Sequence, residues 1–143
     1  MLITNHVLSG AVVGLLAGGH GTALAGGVAS HGLLDAVPHF GVDESRFLSI
    51  AVPDGLVGLV AIAAVAAAVP ARFRARALVG VVGACLPDLD KPGRLFFGRS
   101  PYPASWDDWH AAIQSESPRR WPVELAAAVT SLLVLRSVLR RTA

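Results

Sequence analysis

The apolar residues of this chain fall into five stretches, which glycine, proline or charged residues separate from one another. The stretches run over residues 6–18, 21–37, 54–70, 75–87 and 121–139. Their length and apolar character are typical of helices rather than strands. Each is shorter than, or close to, the ~20 residues that span a hydrocarbon core. The pattern therefore predicts an all-α polytopic membrane bundle of about five short helices.

Glycine motifs set the first predicted connection and the first predicted packing surface. The breaker at 18–21 interrupts the apolar run 7–34 and favours a hairpin over one long helix. Gly10, Gly14 and Gly18 recur every four residues and lie on one helix face. Small residues at this spacing allow membrane helices to approach closely, so the stripe indicates helix packing.

The two halves of the chain share a faint pattern. In the first half, His6 precedes a helix pair that ends at Asp35; in the second, Asp54 precedes a pair that ends at the acidic motif 88–90. This repetition predicts two pseudo-symmetric hairpins plus a C-terminal helix. Convergence of sequences rich in Gly and Ala is the alternative.

Composition indicates one integral membrane domain over residues 1–143. Only 15% of the residues are charged, against about 25% in soluble domains. Cys85 is the only cysteine, which excludes an internal disulfide and an all-thiolate zinc site. The net charge of +2 comes without a concentrated basic stripe, so we expect no nucleic-acid partner. The first residues lack the positive region of a cleaved signal peptide, and the first apolar segment is expected to stay in the mature protein.

Threading the five helices in order places eight ionisable residues at one end of the bundle, with His20 at the other. They are His6, His31, Asp35, His39, Asp54, Asp88, Asp90 and His110. The segment 88–120 joins them as an interfacial loop or lid, in which tryptophans are typical of a membrane interface. Ionisable groups near membrane helices are costly unless paired, solvated or bound to a cation.

The strongest local signal is the segment 30–39. His31 and Asp35 are four residues apart and share a helix face, and Pro38 ends the helix so that His39 can turn back over it. Imidazole nitrogen and carboxylate oxygen are good ligands for zinc or another divalent transition metal. A hydrogen bond between His and Asp at the helix end is the structural alternative.

The second signal is the Pro-Asp-Leu-Asp motif at 87–90. Asp88 and Asp90 can share a metal, or one can bind it while the other orients a histidine. A capped turn with Lys91 as counter-ion is the structural alternative. We assign Asp88 to the metal, together with His6, His31, Asp35 and His39.

Three further residues are candidate catalytic groups. Asp90 and His110 are candidate proton carriers, and Asp54 is a candidate from its place at the same end. Asp54 follows Pro53 and is equally well explained as the N-cap of the third helix.

The motifs resemble those of small bacterial membrane proteins described as predicted metal-dependent hydrolases, a group that includes LexA-regulated inner-membrane members. The resemblance rests on His-Gly-Leu-Leu-Asp-Ala-Val-Pro-His at 31–39 and on Leu-Pro-Asp-Leu-Asp at 86–90. It implies a multi-pass protein of the bacterial inner membrane. The chain departs from the family at Lys91, where related members often carry His, and it lacks the later His-Arg-Gly-x-Thr-His-Ser motif. Both departures weaken the case for a dinuclear site.

The first functional hypothesis is a metal-dependent hydrolase at the bilayer interface, with zinc as the expected cofactor and a lipid-linked ester or phosphoester as substrate. The second is a non-catalytic membrane module that assembles with itself or a partner and whose His and Asp residues brace short helices. The third is a metal or proton transport component.

Overall fold

Residues 1–142, which the computed structural model describes, fold into seven α-helices. The helices are α1 (Ile3–Leu16), α2 (His20–Ala36), α3 (Glu44–Ala68), α4 (Ala71–Cys85), α5 (Asp90–Phe97), α6 (Ala104–Ile113) and α7 (Trp121–Thr142). Short 3-10 turns at Leu86–Leu89 and Pro118–Arg120 precede α5 and α7. The all-α prediction is confirmed.

Glycines hold α1, α2 and α4 together as an inner layer. A Cβ on Gly10 would lie 2.6 Å from the carbonyl oxygen of Gly80, and one on Gly14 would lie 2.5 Å from that of Arg76. A Cβ on Gly27 would collide with the Gly80 carbonyl from the other side. The three backbones are therefore closer than any larger residue permits. The predicted glycine stripe packs at Gly10 and Gly14, whereas Gly18 has open space around it.

The apolar core lies around α1. It consists of Val7, Leu8, Ala11, Leu15, Val65, Val69, Ala77, Val81 and Leu135. The side chains from α3 and α7 show that these two helices pack on α1 from outside the inner layer. Many large side chains on their other faces are exposed, among them Leu56, Val60, Leu125 and Leu132.

Within residues 1–142, two helices are long and apolar enough to cross a membrane. The spans Glu44–Ala68 and Pro118–Arg141 have mean hydropathies of 2.1 and 1.6 over their most apolar 18 residues, and only 11% of each window is buried. Large side chains such as Leu59 and Leu133 are more than 60% exposed. The inner helices have 14, 17 and 15 residues, which is short of the ~20 that a full crossing needs.

The third helix begins ten residues before the predicted start at residue 54, because its cap lies at Asp43 instead of Asp54. The Asp43 carboxylate accepts a hydrogen bond from the Arg46 amide at 3.2 Å, as expected of an N-cap. Pro53 lies inside the helix, where its missing N–H removes a single hydrogen bond. The predicted start of the third helix at residue 54, directly after Pro53, was therefore wrong.

Two further boundaries differ from the sequence prediction. The fourth helix begins at Ala71 after Pro70, four residues before the predicted start at residue 75, so the arginines at 72, 74 and 76 lie on its first turns. The predicted interfacial segment 88–120 folds into α5 and α6 with short connections. A parallel bridge between His39 and Glu116 ties this segment to the loop after α2.

The glycine contacts make Gly80→Ala destabilising. Its new Cβ would collide with the Gly10 carbonyl and lie 2.8 Å from the Gly14 Cα, which are backbone atoms that cannot rotate away. We expect a loss of about 1–3 kcal/mol in the free energy of unfolding, as for other overpacked cores. Thermal or denaturant unfolding of the purified protein measures this loss.

Gly55→Ala is the matched control. Gly55 lies inside α3 with no atom in reach of a new Cβ, and alanine in a helix interior gains about 0.5–1 kcal/mol over glycine. Equal stability of the two variants would show that α1 and α4 are not in close contact.

Candidate metal centre

Four side chains from three elements converge at the end of the inner layer. They are His31 and Asp35 on α2, Asp88 in the turn Leu86–Leu89, and His110 on α6, and one ligand atom from each lies within 4.8 Å of every other. The polypeptide brings residues as distant as 31 and 110 to one point. The fold thus brings the segments 30–39 and 86–90 together in space.

Three of the four ligand atoms form a nearly equilateral triangle. His31 Nε2 lies 3.1 Å from His110 Nε2 and 3.1 Å from Asp35 Oδ2, and His110 Nε2 lies 3.3 Å from the same oxygen. Ligands bound at about 2.0–2.1 Å to one tetrahedral ion lie about 3.3 Å apart. The triangle therefore has the dimensions of one face of a tetrahedral zinc site. Asp88 Oδ1, 3.8 Å from His110 Nε2, is the looser fourth corner.

Hydrogen bonds fix the orientation of both imidazoles. His31 Nδ1 lies 2.8 Å from the Ala84 carbonyl oxygen, which can only accept, so the proton is assigned to Nδ1. His110 Nδ1 lies 3.3 Å from Asp90 Oδ2 in the same relation. With both Nδ1 atoms donating, the two Nε2 atoms face each other as acceptors unless a proton or a cation lies between them. Carboxylate or carbonyl partners behind the ligand imidazoles are usual in metal sites.

Gln114, which the sequence analysis missed, covers the same triangle. Its Nε2 donates to Asp35 Oδ2 at 2.8 Å and lies 3.0 Å from His110 Nε2. The Gln114 amide therefore contacts two of the converging ligand atoms. Its spacing of four from His110 on the chain was a signal that could have identified it.

His6 supplies a further imidazole from α1. Its ring stacks on that of His31 with the centroids 4.0 Å apart, and its Nε2 lies 3.1 Å from Asp35 Oδ1 and 3.9 Å from Asp88 Oδ2. Across residues 1–142, neither ring nitrogen has an aligned hydrogen-bond partner, although the side chain is fully buried. A buried polar atom without a partner is costly, and the nearby Asp35 carboxylate is the closest compensation for Nε2.

Charged neighbours set the protonation states of His110 and Asp88. Burial opposes the positive charge of His110, but its contacts with Asp35 and Asp90 raise its pKa to about 9. Burial also opposes the charge of Asp88, yet Lys91 Nζ at 2.7 Å, together with His6 and His31, holds the pKa of Asp88 below its ordinary value. Asp88 is therefore ionised, as a metal ligand must be.

The remaining predicted residues take other places. Asp90 contacts His110 from behind and is not among the four converging groups. Asp54 caps α1, because its carboxylate accepts from the Ile3 amide at 2.6 Å and from the Thr4 hydroxyl at 2.6 Å. It caps a neighbouring helix and not its own, which the sequence could not show.

His39 also lies outside the four converging groups. Its Nδ1 lies 2.8 Å from the Val37 carbonyl oxygen, and its Nε2 lies 3.5 Å from Glu116 Oε1. Glu116, which the sequence analysis did not single out, is 40% exposed. The His39 imidazole, with some opposition from burial, holds the pKa of Glu116 below its ordinary value.

A buried acid that the sequence analysis missed anchors the first residues of α1. Glu124 on α7 is 5% exposed and accepts hydrogen bonds from the Leu2 amide at 3.1 Å, the Phe40 amide at 3.2 Å and the Asn5 side chain at 2.7 Å. An acid in an otherwise apolar helix was the available signal. Glu124 joins α7, α1 and the loop after α2 beside the site.

A cavity of about 530 Å³ lies beside Asp88. Its walls come from the first residues of α1, the loop after α2, the first three turns of α3 and the start of α5. It is lined by Met1, Leu2, Ile3, Phe40, Gly41, Val42, Glu44, Phe47, Ile50, Ala51, Asp54, Cys85, Asp88, Leu89, Lys91, Pro92, Gln114 and Glu116. A molecule in the cavity would reach one of the candidate metal ligands.

This chain matches no family model, no curated protein and no solved structure. The residues of the site and their geometry are therefore the basis for its function.

The raised pKa of His110 predicts how metal affinity depends on pH. Its imidazole carries a proton at pH 7 and must lose it to bind a metal, so binding releases that proton until the pH reaches about 9. Zinc affinity should rise roughly tenfold per pH unit for one displaced proton. Competition with a chelator of known affinity, measured at several pH values, tests this.

His20→Gln is the control, because His20 is exposed at the far end of α2. It should keep both the affinity and the slope of the unaltered protein. A zinc affinity that does not change between pH 7 and pH 9 would contradict the assignment of His110 as a ligand.

Proposed function

We propose that this chain is a membrane-embedded, metal-dependent hydrolase that acts at the bilayer interface on a lipid-linked ester or phosphoester. The observation that carries the proposal is the triangle of His31 Nε2, His110 Nε2 and Asp35 Oδ2, with edges of 3.1, 3.1 and 3.3 Å. Asp88 supplies the fourth ligand. The resemblance of the two motifs to predicted membrane hydrolases points the same way.

The donor set fits zinc better than calcium or magnesium. Two imidazoles and two carboxylates suit a transition metal, whereas the hard cations prefer sites made of oxygen alone. A divalent ion there supplies Lewis acidity, which activates water and polarises a carbonyl or phosphoryl oxygen. His31, Asp35, Asp88 and His110 would hold the ion, and His6 stands beside them.

The residues around the ligands have separate tasks in this proposal. Asp90 keeps the Nδ1 proton on His110 and so directs Nε2 toward the centre. Glu116 lines the cavity, is ionised and is partly exposed, so it is our candidate for the general base. His39 behind it would stabilise its negative charge.

The membrane setting rests on α3 and α7. Both are long and apolar enough for a crossing, and the site lies at the end of the bundle where α3 begins. We infer a multi-pass protein of the bacterial inner membrane, with the shorter inner helices shielded on one side by α3 and α7. Its partners would be membrane lipids.

A non-catalytic brace is the second candidate, and the contacts of Asp35 favour it. Besides the imidazoles, its carboxylate contacts Gln114 at 2.8 Å and the Met1 amino nitrogen at 2.6 Å. Such a network satisfies the carboxylate without a metal. A transport role is less favoured, because the core around α1 below the site is formed by side chains such as Val7, Ala11 and Leu15.

Metal analysis of His31→Ala and Asp88→Ala separates these functions. We expect one zinc ion per chain in the unaltered protein and, in each variant, an affinity lower by more than about 100-fold, beyond the range for loss of an outer partner. Hydrolysis of ester and phosphoester lipids should fall to background in both. His20→Ala, at the opposite end, should behave like the unaltered protein.

Two results would overturn the proposal in different ways. Protein that stays metal-free after exposure to zinc would favour the brace. Stoichiometric zinc without hydrolysis of any ester or phosphoester lipid would leave the metal centre in place but exclude the hydrolase.

A further inference from the structure

The lining of the cavity beside Asp88 combines apolar and charged side chains. Phe40, Phe47 and Ile50 are among the apolar ones, and the charged ones are Glu44, Asp54, Asp88, Lys91 and Glu116. A largely apolar pocket with a few polar groups is typical of a binding site that fixes the orientation of its ligand. This cavity therefore fits an amphiphile whose polar group faces Asp88.

One face of α3 forms much of the cavity wall. Phe47 and Ala51 give this face its apolar part, and the acids Glu44 and Asp54 lie on either side of them at spacings of three residues. Other sides of the same helix carry exposed apolar residues such as Val52, which is 56% exposed. The cavity thus runs along a helix that is long and apolar enough to face lipid.

The size of the cavity limits what it can hold. About 530 Å³ lies inside the range of roughly 300–1,000 Å³ for small-molecule pockets. That volume accommodates one chain segment and a polar group, and a lipid with two long chains would have to leave most of its apolar part outside.

We propose that the cavity binds a single linear apolar chain, such as the acyl chain of a membrane lipid, along the Phe47 and Ala51 face of α3. The polar linkage of that lipid lies at Lys91 and Asp88. The Lys91 ammonium, 2.7 Å from Asp88 Oδ1, can donate to an ester or phosphoryl oxygen. This substrate class rests on the proposed function for its chemistry, but chain binding itself does not require a metal.

Photo-crosslinking in lipid nanodiscs tests chain binding directly. The probe is a lysophosphatidylcholine with a diazirine on its acyl chain, added to zinc-free protein. We expect cross-links at Phe47 and Ile50 in excess over those at Leu59, which is 63% exposed and samples ordinary lipid contact. Equal labelling at the three positions would overturn the proposal.

Filling the cavity provides the variant test. Ala51→Trp places an indole in the volume that the chain needs, so cross-linking at Phe47 should fall about tenfold or more. Ala63→Trp, at an exposed position of the same helix that does not line the cavity, should leave the labelling unchanged. Labelling that persists in Ala51→Trp would exclude chain binding in the cavity.

Two readouts keep the outcome clear. Phe47→Ala enlarges the cavity by removing a side chain and adds no new group to it. The enlarged cavity should admit a bulkier chain than that of the unaltered protein. A chain preference identical to that of the unaltered protein would count against the proposal. Zinc content, measured in parallel, should be the same in all these variants. Failure of chain binding with intact zinc, or loss of zinc with intact chain binding, therefore identifies which of the two proposals is wrong.

Discussion

The buried carboxylate of Asp35 is the charge around which the polar end of this protein is organised. Asp35 is fully buried, and an ionised carboxylate in that position is stable only with compensating donors or cations. His6 on α1, His31 on α2 and His110 on α6 all place Nε2 within 3.3 Å of its two oxygens. Three helices distant in sequence thus have a common reason to end at one point, and the arrangement of the site follows from the need to neutralise one charge.

That convergence depends on how closely the inner helices pack. Gly10, Gly27 and Gly80 bring the backbones of α1, α2 and α4 into direct contact one or two turns away from the imidazoles. Distances of about 3 Å between ligand atoms can then be set by rigid helices instead of flexible loops, which is the condition for a well-defined site. Asp54 and Glu124 fix the first residues of α1 from two other helices, so His6 is held from outside as well. The same helix contacts therefore determine both the stability of the packing and the geometry of the site.

Periodicity and motif spacing predicted those parts of the structure that are local. His31 and Asp35 share a helix face because they are four residues apart. Four of the five predicted helices correspond to observed helices that begin and end within four residues of the predicted bounds. What the sequence left open depends on tertiary contacts. Spacing alone could not show that Asp88 faces the centre while Asp90 stands behind His110, that Asp54 caps α1, or that His39 pairs with Glu116. The sequence analysis missed Gln114 and Glu124 because an isolated amide or acid forms no recognisable motif. An acid within an apolar helix nevertheless indicates that it has a buried partner.

The Nε2 lone pairs of His31 and His110 explain how the site is stable without a metal, and they also support the proposal that it binds one. Since His31 Nδ1 and His110 Nδ1 are committed to acceptors, their Nε2 atoms, 3.1 Å apart, need a positive centre between or beside them. In the metal-free protein the proton on His110, whose pKa is raised to about 9, supplies that charge. A divalent ion held by His31, Asp35, Asp88 and His110 would supply the positive charge in place of this proton. A brace built around Asp35 has no need for the Asp88 carboxylate among the converging groups, so the place of Asp88 there is the structural reason to favour the proposed metal site over a brace.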